Sequence, residues 1–344
     1  GVQTCALPIF LKKSDSKHMS ESQQYDVAIV GAGPVGLACA IEAGRQNLSH
    51  IVVEKGSLVN SLIGYPTNME FFSTPELLEI GGYPLVSSRY KPLREETIDY
   101  YHRVARTENL NIHLSEKVLR LEGKRGQFTL YTDKKSIQTR NVIVATGFFD
   151  QPNLLNVEGE NLDHVHHYFK EAYAYSGRDV VVVGAKNSAA KAALLLNRQG
   201  ANVTMLIRGA DVAPTVKYWI RPDLINRIDE GSIAVFYHTK ITGITASTVH
   251  FTDKTGEHSL PSDAVFALIG YHPDYSFLRE LGIDIDNDAV DTPHHDPNTF
   301  ESNRKGVYLA GTVCGGRHTS KWFIENGRFH AEVIATQIAN VLSA

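Results

Sequence analysis

The chain has 344 residues, enough for two domains of ordinary size, and 42% of them are hydrophobic, enough for a core in each. Its 34 Lys and Arg against 38 Asp and Glu leave a formal charge of −4 with no long basic run, which argues against nucleic acid as a partner. No apolar stretch approaches the roughly 18 residues a membrane span needs, and cysteines at 5, 39 and 314 form neither a disulfide framework nor a metal-ligand spacing, so a reducing cytoplasm is the expected setting.

Gly1 to Ile9 reads as the in-frame translation of a sequencing-adapter oligonucleotide, so residues 1–23 are expected to be artefactual or disordered, with Met19 the expected start. An apolar strand then ends in Gly31-Ala32-Gly33-Pro34-Val35-Gly36 and passes into Ala- and Leu-rich helical sequence. Gly31 permits the tight turn, Gly33 lets a pyrophosphate approach the backbone, and Gly36 lets the helix lie close to the sheet. The helix N-terminus offers free N–H groups to that pyrophosphate. The second strand, from His50, ends in Glu54 at the offset that holds a ribose hydroxyl pair.

The long segment from Gly56 to Lys91 has no clear periodicity, and irregular segments of that length in compact domains are usually functional. Arg94 to Arg106 reads as an amphipathic helix, followed by strands at Ile112–Leu114, Lys117–Leu121 and Phe128–Tyr131. Asn141 to Gly147 is a buried strand ending in Ala-Thr-Gly, where a flavin-binding domain returns to its cofactor. His164, His166 and His167 make a loose cluster, and Gly159-x4-His164-x3-Tyr168 is a near miss to a flavin monooxygenase signature.

A second strand-turn-helix begins at Asp179 and carries Gly184-Ala185-Lys186-Asn187-Ser188-Ala189, with Lys186 and Ala189 where the first turn has glycine. The next strand ends in Arg208, a fixed positive charge that favours the 2′-phosphate of NADP. Val216 to Asp223 is an aromatic and basic insertion suited to packing at a domain or subunit boundary, ahead of a helix at Leu224–Asp229. Ala264 to Pro273 looks like the end of the inserted domain. Gly306 to Thr312 is a strand ending in Ala-Gly, and a closing helix is predicted over Lys321–Leu342, its N-terminus directed at the flavin. The fold class is therefore α/β, with two Rossmann-like units: a discontinuous FAD domain over 24–152 and 290–344, and an NADPH domain over 153–289.

These motifs together resemble the two-dinucleotide-domain flavoprotein reductases. Tyr65–Met69, Gly184–Ala189, Lys217–Asp223, Gly270–Tyr275 and Phe323–His330 narrow the resemblance to the bacillithiol disulfide reductase family, the YpdA-type flavoproteins related to thioredoxin reductase. It spans about residue 24 to the C-terminus and implies FAD, NADPH and reduction of a low-molecular-weight disulfide, with a small redox protein as the other possible acceptor and a homo-oligomer expected. The residues expected at FAD are Gly31, Gly33, Pro34, Gly36, Glu54, Lys55, Asn60, Thr67, Val118, Thr146, Gly147, Gly311 and Thr312. Those expected at NADPH are Gly184, Lys186, Asn187, Ser188, Ala189, Arg208 and Lys217, and no metal is expected.

The chain departs from the family pattern twice. Val35 stands where the family usually has cysteine, and Thr312 stands where the wider superfamily commonly has aspartate. Cys39 reads as packing, which leaves Cys314 beside Gly315-Gly316 as the candidate near-flavin thiol, reactive if a helix N-terminus lowers its pKa. Alternatives are a ferredoxin or flavodoxin NADP reductase, favoured by the absence of a dithiol, a flavin monooxygenase, and a non-catalytic flavin or nucleotide sensor.

Overall fold

The computed structural model describes residues 24–344, so the expectations for Gly1–Ile9, Cys5 and Met19 lie outside the described residues. β1 (Gln24–Val30) runs through the turn into α1 (Pro34–Arg45) and returns as β2 (His50–Val53). The irregular stretch that follows holds two single turns, α2 (Asn60–Ile63) and α3 (Pro75–Leu78), before the amphipathic α4 (Arg94–Thr107). β3 (Ile112–His113), β4 (Val118–Lys124), β5 (Gln127–Thr132) and β6 (Ser136–Val144) complete this part of the chain.

β6 starts five residues before the predicted Asn141 because its first half is the return strand of a hairpin with β5. Its second half pairs in parallel with β1 on one side and β15 (Val307–Leu309) on the other. One seven-stranded sheet therefore receives the end of the chain beside its middle. Val27 to Val30 and Val142 to Val144 are buried on both faces, as strands of a covered parallel sheet must be.

The second lobe is a five-stranded parallel sheet in the order β10-β9-β8-β14-β7, formed by β7 (Val165–His166), β8 (Asp179–Val183), β9 (Asn202–Ile207), β10 (Ile233–Tyr237) and β14 (Ala264–Ala267). Alternation along β8 divides its burial between two layers. Val180 and Val182 pack with the Ala/Leu face of α5 (Asn187–Arg198) and with Leu224 of α6 (Arg221–Asp229). Val181 and Val183 pack on the antiparallel meander of β11 (Lys240–Ile244), β12 (Thr248–Asp253) and β13 (Gly256–Pro261).

Two expectations need correction. The chain returns to the first lobe before residue 290, because α7 (Tyr275–Glu280) and the residues after it place Leu278, Leu281 and Ile283 in the first core. The closing helix is broken into α8 (Ile324–Gly327) and α9 (His330–Ser343). At the break the Arg328 guanidinium donates to the backbone carbonyls of Glu76 and Glu79, tying the chain end to α3. No helix among the described residues is long and apolar enough to cross a membrane.

Candidate active site

The first turn is set by backbone geometry. Gly31 has φ +107°, and a Cβ on it would lie 2.7 Å from the Ala145 carbonyl oxygen at the end of β6. Gly36 rests against the Gly31 carbonyl, where a Cβ would overlap it, so α1 starts tight on its strand. Gly33 is the reverse case: a Cβ there meets nothing within 4 Å, because its Cα faces a cavity of about 400 Å³. The first turn of α1 has no side-chain cap and begins with proline, so its free amides are left for a ligand. Glu54, 7% exposed, is held by Ala32 N–H at 2.9 Å and Gly56 N–H at 2.8 Å, one to each carboxylate oxygen. An open cradle, free helix amides and a pre-oriented carboxylate fit the pyrophosphate and ribose of a dinucleotide.

Ten of the thirteen residues expected at FAD line this cavity: Gly31, Gly33, Pro34, Glu54, Lys55, Asn60, Val118, Thr146, Gly147 and Thr312. Lys55 is paired with Asp150 at 2.8 Å. The other three fall elsewhere. Gly36 and Gly311 lie behind the lining, where Gly311 presses on Val35, whose side chain atoms would stand 3.0 to 3.1 Å from a Cβ. Thr67 faces a larger cleft between the lobes and donates its N–H to the Lys170 carbonyl at 2.9 Å. Val35, 8% exposed, thus fills the space between the turn and Gly311.

The larger cleft has a volume of about 1790 Å³. On its second-lobe wall are Gly184, Lys186, Asn187, Ser188, Arg208 and Lys217. Gly184 has φ +134°, and its Cβ would meet the Leu268 carbonyl oxygen at 2.6 Å. The N-terminus of α5 again lacks a side-chain cap, since its cap residue Lys186 has no side-chain acceptor, and the Asn187 Oδ1 accepts Lys217 N–H at 2.9 Å. Ala189 is corrected from a ligand contact to a packing residue: it is fully buried behind Gly184. Lys186 is exposed at the mouth of the turn, at the position that Gly33 holds in the first turn.

The two cavities share Tyr65, Phe148, Phe149, Gln151, Thr312 and Ile324 as lining. Phe149 is the centre of an aromatic cage, 4.9 Å from Tyr65, 5.0 Å from Tyr168 and 5.0 Å from Tyr271, centroid to centroid. Burial pushes the Tyr65 and Tyr168 hydroxyls, already neutral at cellular pH, up to about 12. Sequence reasoning singled out Tyr65, Tyr168 and Tyr271 only within motifs and missed Phe148 and Phe149; the aromatic pair directly after Ala145-Thr146-Gly147 was the readable signal.

Cys314 does not reach this junction. It is fully buried and lines neither cavity, with Sγ 3.9 Å from Nδ1 of His330. Burial pushes its pKa up, opposite to the shift a nucleophile needs, so the expectation of a reactive near-flavin thiol is corrected. Cys39 is equally buried, its thiol pushed up to about 12. His330 is held neutral, at about 4, by burial against Phe300 and Trp322, and its Nδ1 accepts the Gly311 N–H at 3.1 Å. His166 lies in β7 against Phe266, and His167 faces Glu160 at 3.6 Å.

Residues 28–311 match the pyridine nucleotide-disulphide oxidoreductase family. The chain belongs to this family. Membership makes it an NADPH-dependent flavoprotein oxidoreductase with FAD as its second cofactor. Bacilliredoxin reductase Bdr of Bacillus subtilis (strain 168) is 39% identical over 320 residues, covering 92% of this chain and 98% of that protein. The solved bacillithiol disulfide reductase Bdr (YpdA) from Staphylococcus aureus superposes with a TM-score of 0.90 at 39% identity, covering 93% of this chain and 99% of that one. Its counterpart from Bacillus cereus gives a TM-score of 0.90 at 38% identity, covering 93% and 100%.

Proposed function

We propose that this chain carries electrons from NADPH through FAD to bacillithiol disulfide, acting as a homo-oligomer in the cytoplasm. The observation that carries the reading is the meeting of two cavities, each opening from an uncapped glycine turn, at Phe148, Phe149 and Thr312. FAD, when bound, supplies a two-electron carrier between nucleotide and acceptor. In this reading residues 24–152 with 275–344 form the FAD domain, and the intervening residues form the NADPH domain.

The roles of the side chains follow from their placement. The amides of α1 and the bare backbone at Gly33 hold the FAD pyrophosphate, Glu54 the ribose, and Thr146, Gly147 and Thr312 the approach to the ring. The turn from Gly184 to Ser188 holds the nucleotide pyrophosphate, while Arg208 and Lys217 supply fixed charge for its phosphates. The aromatic cage excludes water where the two ligands meet. With Cys39 and Cys314 buried, the disulfide is brought to this junction without a cysteine of the lining to relay it.

The test is stoichiometric. Anaerobic enzyme given NADPH and bacillithiol disulfide should release two thiols for each NADPH consumed, as a two-electron couple requires. Consumption of NADPH only with ferredoxin or flavodoxin would make the chain a one-electron reductase, oxygen uptake matched to product would make it a monooxygenase, and no consumption with any acceptor would make it a sensor.

A further inference from the structure

Three lysines gather where the second lobe touches the irregular segment of the first. Lys191 of α5 lines the cleft and donates to the backbone carbonyl of Glu70 at 3.1 Å, its ammonium 5.3 Å from the Phe72 ring centroid. Lys217 also lines the cleft, 5.6 Å from the Phe72 ring and 5.8 Å from Trp219. Lys91 reaches across from the first lobe and sits over the Trp219 ring at 3.5 Å. The two rings meet edge to face at 6.0 Å, and cation–π attraction holds the ammonium groups around them.

None of the three ammonium groups is in a direct ion pair: among the described residues the lysine ion pairs are Lys55–Asp150 and Lys305–Glu301. The Glu70 carboxylate acts on Lys191 only through its field, while burial and the charge of Lys91 pull the Lys191 ammonium down. A half-buried cation with no anion in direct contact is stabilised when a ligand brings one. The surroundings point the same way: a chain of net charge −4 lines this cleft with seven Lys and Arg but two Glu.

Which ligand brings the anion follows from position. Under the reading above, the turn at Gly184–Ser188 and Arg208 already serve the nucleotide phosphates. Lys191 lies about 6 Å further along the α5 axis than Asn187, and its contacts, Glu70 and Phe72, are on the opposite lobe. We propose that Lys191, supported by Lys91, is a carboxylate-binding subsite for an anionic disulfide acceptor. It rests on the disulfide-reductase reading for the identity of that ligand.

The test compares two disulfides of one skeleton, the dianion N,N′-diacetylcystine and its neutral dimethyl ester, titrated calorimetrically into the holoenzyme. Wild type should bind the dianion about tenfold more tightly than the ester, the ratio expected for one charge-assisted hydrogen bond. Lys191→Met should abolish that preference, Lys191→Arg should restore it, and added salt should weaken the dianion alone. The rate at which NADPH bleaches the bound flavin should be the same in Lys191→Met as in wild type. Equal binding of the two disulfides by wild type, binding of neither, or an unchanged preference in Lys191→Met overturns the subsite. Slower bleaching in Lys191→Met with the preference intact also overturns it, and assigns the lysine to a nucleotide phosphate. Lys191-dependent binding without turnover of any disulfide supports the subsite while sinking the reductase reading.

Discussion

The two glycine turns begin alike and then diverge. In both, the first glycine is at positive φ and sits under the carbonyl just past a neighbouring parallel strand, Ala145 for Gly31 and Leu268 for Gly184. At the third position Gly36 leaves no room for a methyl group, whereas Ala189 carries one, so α1 starts closer to its strand than α5 does. At the middle position Gly33 is bare and Lys186 is a solvated cation. Close backbone approach suits a cofactor that stays, and an ammonium on a flexible stem suits one that exchanges.

The sharpest way to break this comparison is at the third position. Gly36→Ala should cost at least about 3 kcal/mol, because the methyl meets backbone that cannot move aside. Ala189→Gly should cost only about 1 kcal/mol in helix propensity. Denaturant unfolding of the two holo variants reads the difference, and equal costs would mean that the two helices approach alike.

A second feature lies behind the first turn, where His330 accepts from Gly311. Burial lowers its pKa from 6.5 to about 4. Between those values the unfolded chain binds the proton and the folded chain does not, so stability falls as the pH drops through that window, by up to about 3 kcal/mol. His330→Gln keeps an acceptor for Gly311 and should lose less stability than wild type between pH 6.5 and pH 4. A parallel fall in both proteins would remove His330 from the acid response.

Smaller effects follow at the second turn and at the buried thiol. Arg208→Ala should lower the preference for NADPH over NADH about tenfold, in kcat/KM, while flavin content stays unchanged. An unaltered preference would make Arg208 a surface residue. Cys314→Ala should change turnover by less than about twofold, since a thiol kept protonated by burial contributes no nucleophile; a large loss would return Cys314 to the chemistry.

The parts legible in the sequence are those carried by local pattern. Both turns and α4 were readable from residues next to one another, and the insertion at Val216–Asp223 was readable only as packing at a domain or subunit boundary; in the structure Trp219 meets Phe72 of the other lobe. What was not legible depends on distant partners. The break before His330 needs Arg328 to find the carbonyls of Glu76 and Glu79. The early return to the first core needs Leu278 and Ile283 to meet it. Cys314 looked available beside Gly315-Gly316 because nothing local says that His330 lies against it. The aromatic cage draws Tyr65, Phe149, Tyr168 and Tyr271 from four separate segments, a convergence that no window of sequence contains.

The division of labour between the turns is tested most directly by the flavin absorbance of two middle-position variants, Gly33→Asp and Lys186→Asp, recorded anaerobically before and after NADPH. Gly33→Asp should purify without flavin, because a carboxylate would occupy the cradle that Gly33 leaves open. Lys186→Asp should carry a full complement that NADPH fails to bleach at concentrations that bleach wild type. Flavin retained in Gly33→Asp, or lost from Lys186→Asp, would contradict the assignment of the first turn to FAD and the second to NADPH.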